Sequence, residues 1–273
     1  MQPIWRKQTY ALPTITEQAG ERMNGDAHMS KGSLSSAKVG RGFYARYGKR
    51  VLDIICALLA IVVFCWLYLI IAVLVRVKLG SPVLFTQPRP GKDEKIFKMY
   101  KFRSMTDAKD ANGNLLPDDM RLTKFGKALR NTSLDELPEA FNILKGDMSV
   151  IGPRPQLVRD MVFMTNEQRK RHSVRPGLSG LAQTRGRNAI SWDGKLATDL
   201  EYVQNVTFLG DCKIILDTVK QVFLGGKGGS KDIDEVAITD DLGDYQLKAG
   251  RVSREEYEVK QSEAKMLLKR GLV

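Results

Sequence analysis

Asp135 and Glu136 stand side by side in Ser133-Leu134-Asp135-Glu136-Leu137-Pro138, in a region where Arg121, Arg130, Arg154, Arg175 and Arg187 follow breaks or helix ends. An ionised aspartate can attack phosphorus to form an acyl phosphate, and a neighbouring carboxylate can hold a divalent cation that offsets phosphate charge. Magnesium is the ion best matched to carboxylate and phosphate oxygens, which makes Asp135 and Glu136 its candidate ligands. Guanidinium forks match phosphate oxygens, so the five arginines are candidate phosphate-binding residues, some of which will be structural ion pairs instead. An Asp-Glu pair by itself is a common solvated feature. Ser133 and Glu136 also have capping-box spacing, which would make the motif a plain helix start. Pro138 weakens that account, because as the fifth helical residue it lacks a needed N–H and crowds the Leu134 carbonyl. A helix starting near Asp135 would instead leave that carboxylate at the positive helix end, where its anionic form is favoured.

The elements that must position this motif begin with an apolar run. From Ile54 to Val75 every residue is apolar, Cys, Trp or Tyr, long enough to reach across the hydrocarbon core of a bilayer. Arg41, Arg46, Lys49 and Arg50 precede the run, and Arg76 and Lys78 follow it. Basic flanks stay on the cytoplasmic side, so a helix that dips in and returns satisfies both where a straight span would export one. Asp53, one turn inside the boundary, is expected to reach the interface or to pair with Lys49 or Arg50.

Beyond the run, Val83 to Thr86 reads as a short strand closed by Pro88, Arg89, Pro90 and Gly91. Leu134, Leu137, Phe141, Leu144 and Met148 recur at helical spacing, which predicts one amphipathic helix from the Asp135 region toward Asp147. Further helices are predicted over Gln156 to His172, Asp193 to Phe208 and Lys213 to Phe223, the last suited either to a membrane surface or to core packing. Gly225 to Ser230 reads as a linker followed by acidic residues, and Ser253 with Glu256 starts a charged terminal helix to about Lys269. The predicted organisation is a poorly ordered tail (1–42), a membrane anchor (43–79), a catalytic domain (80–224) and a C-terminal appendage (225–273). The fold class is α+β and mostly helical, with an N-terminal membrane-inserted, re-entrant helix, interfacial helices and a small cytoplasmic catalytic domain.

Several segments together resemble the bacterial sugar transferases, also called monotopic phosphoglycosyl transferases. They are Phe85-Thr86-Gln87 with Arg89-Pro90-Gly91, the run Phe97 to Met105, Arg121 to Gly126, Ser133 to Pro138, Asn142 to Ser149, Gly152-Pro153-Arg154-Pro155, Arg175-Pro176-Gly177 and Gly186-Arg187-Asn188. The resemblance spans about Lys49 to Phe223 and leaves both tails outside. It implies a two-step exchange at the cytoplasmic face of the bacterial inner membrane. Asp135 attacks the β-phosphate of a UDP-sugar and releases UMP, and polyprenyl (undecaprenyl) phosphate then takes the phosphosugar, initiating glycan assembly. Glu136 matches the family's partner carboxylate and Arg187 its phosphate-binding arginine, while Gly186 to Trp192 resembles members that use N-acetylated amino sugars. The chain departs from the family in mid-anchor, where Cys65-Trp66 replaces a helix-breaking Ser-Pro.

Composition sets the remaining bounds. A net charge of +12 over 273 residues calls for anionic partners, among them membrane lipids, nucleotide phosphates and nucleic acid. The run Ile96 to Met105 interleaves aromatic and basic residues and could stack bases, but it reads equally as a strand or a membrane-surface patch, and nucleic acid is not an expected partner. Cys56, Cys65 and Cys212 form no disulfide or zinc pattern, and His28 and His172 are isolated. The two competing classes are a membrane-tethered nucleic-acid binder, with salt-sensitive binding indifferent to Asp135, and an anchored scaffold without turnover. A homo-oligomer is compatible with the sequence.

Overall fold

The computed structural model describes residues 42–186, 190–224 and 241–271. The apolar run forms two helices, α1 (Lys49–Val63) and α2 (Cys65–Lys78), and a π-helical turn, Tyr44–Gly48, leads into the first. They meet at Phe64 (φ −100°, ψ 12°), where the axis bends by 64°. Among the described residues, no single helix is long and apolar enough to cross a membrane, although the bent pair together has the length and composition. The break falls without proline or glycine. Ile61, Val62 and Val63 are β-branched and Phe64, Cys65 and Trp66 are bulky or weak helix formers, so the helix is intrinsically poorest here.

Docking fixes the bend. Strand β1 (Leu84–Pro90) pairs antiparallel with β2 (Ile96–Phe102), and alternate β2 residues point to opposite faces. Ala57 of α1 packs with Phe97 and Met99 on one face, while Ile71 and Val75 of α2 pack with Phe102 on the other. The two limbs therefore straddle one strand of one body. Asp53 does not pair with Lys49 or Arg50. It is buried and accepts from Ser149 Oγ and the Val150 N–H, both at 2.9 Å, while Lys49 reaches Asp211 at 2.6 Å and Arg50 donates to the Ile143 and Leu144 carbonyls. A buried carboxylate satisfied by Ser149 and Val150 ties the start of α1 to the rest of the fold.

After the short helix α3 (Asp118–Arg121) comes α4 (Lys124–Asn131), whose Thr123 N-cap accepts from the Gly126 N–H. The predicted helix over 135–147 divides into a 3₁₀ turn, Leu134–Glu136, and α5 (Glu139–Lys145), with Pro138 as N-cap and Gly146 (φ +93°) as C-cap. Asp135 consequently lies in a turn before the helix instead of at its first position. Asn142 of α5 is fully buried and closes the unpaired edge of β2, accepting from the Tyr100 N–H and donating to the Lys98 carbonyl at 2.7 Å. Asn142→Leu strands both backbone groups, and we expect a loss of about 2–4 kcal/mol, read as a lower midpoint in chemical denaturation.

Strands β3 (Ser149–Ile151) and β4 (Gly177–Ser179) pair in parallel. A Cβ on Gly177 would lie 2.0 Å from the Gly152 amide nitrogen, so only glycine allows this approach. The helix predicted over 156–172 is instead α6 (Val158–Met161), α7 (Asn166–Arg169) and a 3₁₀ turn, because Thr165 and Gln168 form a capping box that starts a new helix. Helices α8 (Leu181–Gly186), α9 (Trp192–Gln204) and α10 (Phe208–Leu224) follow. Helix α9 stops short of Phe208, and Thr207 accepts from the Gly210 N–H to open α10. Ile214 of α10 packs with Ile151, Tyr202 and Val203, whereas Leu209 and Leu216 are exposed. Helices α11 (Leu242–Lys248) and α12 (Arg254–Gly271) fold back, with Leu242, Val252 and Ala264 in one cluster with Val158, Phe163 and Leu196. Ser253 caps α12 as its spacing predicts, accepting from the Glu256 N–H at 3.1 Å. The fold is α+β and mostly helical.

Candidate active site

Asp135 is held by an unusual backbone. Ser133 adopts φ +55°, a left-handed conformation costly for a residue with a Cβ, and it makes no capping bond. This reverses the chain between α4 and the 3₁₀ turn and carries Asp135 inward, where the residue is only 7% exposed. Tyr68 of α2 donates to the Leu137 carbonyl and packs edge-on against Phe141, so the bent helix pair directly supports the motif.

Two cations fix Glu136. Lys101 Nζ and Arg154 Nη2 each lie 2.8 Å from Glu136 Oε1, and Lys101 also sits 3.2 Å from Glu139. Burial by itself would raise the Glu136 carboxyl, but Arg154 and Lys101 outweigh it and hold the group down to about 2. Asp135 differs. Burial, aided by the adjacent Glu136 charge, raises its carboxyl above the usual range, while Lys101 and Arg130 pull in the other direction. Its Oδ1 is buried without a hydrogen-bond partner among the described residues. An unpaired buried carboxylate oxygen near Lys101 and Arg130 is a candidate contact for a cation or an electrophile.

The arginines of the sequence reading fall in different places. Arg154 pairs with Glu136, and Arg130 lies close enough to act on the Asp135 charge, with its Nε 2.9 Å from Ser104 Oγ. Arg121 donates to the Thr106 carbonyl and pairs with Asp118, which holds the loop between them. Arg175 donates to the Gly146 carbonyl at 2.8 Å beside Arg50 and lines a separate cavity. Arg187 lies outside the described residues.

Lys101 and Glu139 are site residues that sequence reasoning missed. Lys101 stands on the same strand face as buried Phe97 and Met99, so a lysine continuing an apolar period-2 row was the available signal. Glu139 lies three residues after Glu136, on the same side of the turn. Burial, reinforced by the Glu136 charge, pushes Glu139 from an ordinary value of 4.5 up to about 7 against the pull of Lys101. Between these values the folded chain holds a proton that the unfolded chain releases, so this residue's contribution to stability falls as pH rises. Glu139→Gln should therefore raise the melting temperature at pH 8 by about 4 °C and leave it nearly unchanged at pH 5. Equal shifts at both pH values would contradict the assignment.

Carboxylates and guanidinia arranged this way suit phosphoryl chemistry. The family model for the bacterial sugar transferases matches residues 44–225, which contain both helices of the bent pair and every residue of this site. The chain belongs to the bacterial sugar transferase family. Among its relatives in this family is the uncharacterized sugar transferase EpsL of Bacillus subtilis, 48% identical over 176 residues, covering 64% of this chain and 87% of that protein. The UDP-N-acetylgalactosamine-undecaprenyl-phosphate N-acetylgalactosaminephosphotransferase of Aeromonas hydrophila is 37% identical over 79% of this chain and 52% of its own length. The UDP-glucose:undecaprenyl-phosphate glucose-1-phosphate transferase of Klebsiella pneumoniae is 40% identical over 64% of this chain and 40% of its own length. The chain thus spans most of the Bacillus family member and about half or less of the other two.

Proposed function

We propose that this sugar transferase moves a sugar-1-phosphate from a UDP-sugar to polyprenyl phosphate through a covalent intermediate on Asp135. The observation that carries the reading is the contrast between the two acidic neighbours: one Glu136 oxygen is engaged by both Lys101 and Arg154, while Asp135 presents a buried oxygen without a hydrogen-bond partner among the described residues. An Asp135 oxygen attacks the β-phosphorus, the bond from that phosphorus to the bridging oxygen breaks, and UMP leaves. An oxygen of polyprenyl phosphate then attacks the same phosphorus, and the acyl-phosphate bond breaks to regenerate the carboxylate. Lys101 and Arg154 keep Glu136 ionised and oriented, and with Arg130 they set a positive field where phosphate charge collects.

A magnesium ion fits this donor set. Asp135 and Glu136 offer the one or two carboxylates that such an ion commonly takes when substrate phosphates supply its other ligands, and the unpaired Asp135 Oδ1 is a natural contact. When bound, it would offset the charge of the donor diphosphate. Incubating the purified chain with magnesium, undecaprenyl phosphate and a panel of UDP-sugars tests the function through UMP release, and release with none would contradict it. The Gly186 to Trp192 run and the name of the Aeromonas relative favour an N-acetylated amino sugar as the productive donor.

In this reading the bent pair enters the cytoplasmic leaflet and returns. Support comes from both limbs packing on opposite faces of β2, which keeps their ends on one side, and from the exposed Leu58, Leu59, Val62, Trp66 and Leu69 around the bend. Exposed Leu209 and Leu216 of α10 suit the membrane surface. Single cysteines placed before Lys49 and after Lys78, in a background without Cys56, Cys65 and Cys212, should both escape an impermeant label in intact cells. Labelling at either position would establish a crossing span.

A further inference from the structure

A cavity of about 90 Å³ lies at the foot of α1 and is lined by none of Asp135, Glu136, Lys101 or Arg154. Its wall carries Arg46, Lys49, Arg50, Lys92 and Arg175, with Asp53 as the opposing charge. Asp53 is turned to Ser149 and Val150, and Lys49 pairs with Asp211 at 2.6 Å. Asp147 also acts on Arg50, so the three carboxylates set against the five cations leave a surplus of two positive charges. Arg50 and Arg175 converge on the end of α5, donating to the Ile143, Leu144 and Gly146 carbonyls at 2.6, 2.9 and 2.8 Å. These bonds engage three of the ten N–H groups that two guanidinia carry. The wall also includes Ser173, whose Oγ is buried without a hydrogen-bond partner among the described residues. Two adjacent guanidinia, a surplus of positive charge and an unmatched hydroxyl define a receptor for a phosphate group.

The position of the cavity says which phosphate. Arg46 and Arg50 flank it on the helix whose lipid-facing row starts at once with exposed Val51, Leu52 and Ile55. Arg46 and Ile55 are separated by about 14 Å of helix, so a cavity at this level lies at headgroup depth when the apolar row is in hydrocarbon. We infer that this cavity holds the headgroup phosphate of an anionic phospholipid, clamping the base of the anchor independently of the catalytic carboxylates. The inference rests on the membrane placement proposed above.

Reconstituting the full chain in nanodiscs of neutral phosphatidylcholine, with and without phosphatidylglycerol, separates the two ideas, because failure to enter neutral nanodiscs would overturn the placement itself. Native mass spectrometry after release into detergent should count one retained phosphatidylglycerol per chain. Ser173→Ala, which leaves net charge untouched, and Arg46→Gln/Lys92→Gln should each cut that occupancy about tenfold, the size of a lost hydrogen bond to a charged group. Lys265→Gln/Lys269→Gln, which removes the same charge from the exposed face of α12, should leave it unchanged. Equal retention by wild type and Ser173→Ala would overturn the site. Full displacement by inorganic phosphate, or replacement by added undecaprenyl phosphate at equal concentration, would overturn its assignment to a bilayer phospholipid.

Discussion

Asp135→Asn should reduce UMP release by at least about 1,000-fold, because it removes the attacking oxygen of the first step and leaves the binding groups in place. The fold should survive, since Asp135 Oδ1 has no hydrogen-bond partner among the described residues whose loss would be felt. Glu136→Gln should behave differently. It strips Lys101 and Arg154 of the carboxylate that both approach to 2.8 Å, so it should lower both stability and rate while leaving the nucleophile intact. A variant Asp135→Asn with wild-type turnover would assign the chemistry elsewhere.

The second large effect is on folding. Arg171 and Asp199 are both almost fully buried, and Arg171 donates from Nε and Nη2 to one Asp199 oxygen at 2.9 and 2.7 Å. Its Nη2 also donates to the Arg154 carbonyl at 2.6 Å. This pair therefore joins α9 to the chain segment that presents Arg154 to Glu136. Removing only one partner leaves an unmatched charge in the interior, so Asp199→Ala should destabilise the chain by about 3–5 kcal/mol. Replacing both, as Arg171→Met/Asp199→Leu, should recover much of that stability in denaturant titrations. Turnover should remain low in the double variant, because the Arg154 backbone loses its tether.

The extent to which this architecture was readable from sequence differs by element. Local signals were sufficient where local bonds decide structure: the Ser253 cap of α12 and the apolar helical run appear where residue types place them, whereas the first strand, expected to close at Pro88, runs through it to Pro90. The Asp-Glu motif defeated the same reasoning. Its periodicity predicts a helix from Asp135, yet Pro138 withholds an N–H, and Glu136 is drawn to Lys101, thirty-five residues away, and to Arg154. Those long-range pairs, together with the left-handed Ser133, are stronger than helical spacing over one turn. The Thr165 capping box was legible, and giving it weight would have divided the helix predicted over Gln156 to His172.

At the site itself, Asp135, Glu136 and Arg154 lie together, with Arg154, expected from sequence as a phosphate-binding arginine, engaged by Glu136. Arg175 and Arg121 share the spacing cues of a phosphate-binding arginine but end on carbonyls and a local carboxylate elsewhere. A guanidinium after a helix break has many possible partners, and only the fold selects among them. The flanking charges predicted a helix that turns back, but where it bends was hidden, because the usual breaker is missing and the geometry follows the burial of Ala57 and Ile71 in clusters on opposite faces of a strand that lies later in the chain.

The proposed chemistry requires a phosphosugar bonded to one side chain, Asp135. Wild-type chain mixed with the productive UDP-sugar and magnesium, without polyprenyl phosphate, then acid-quenched and digested, should yield a peptide containing Asp135 heavier by one phosphosugar. That adduct should vanish when polyprenyl phosphate is added before the quench. Steady product formation with the Asp135 peptide never modified at any quench time would contradict it.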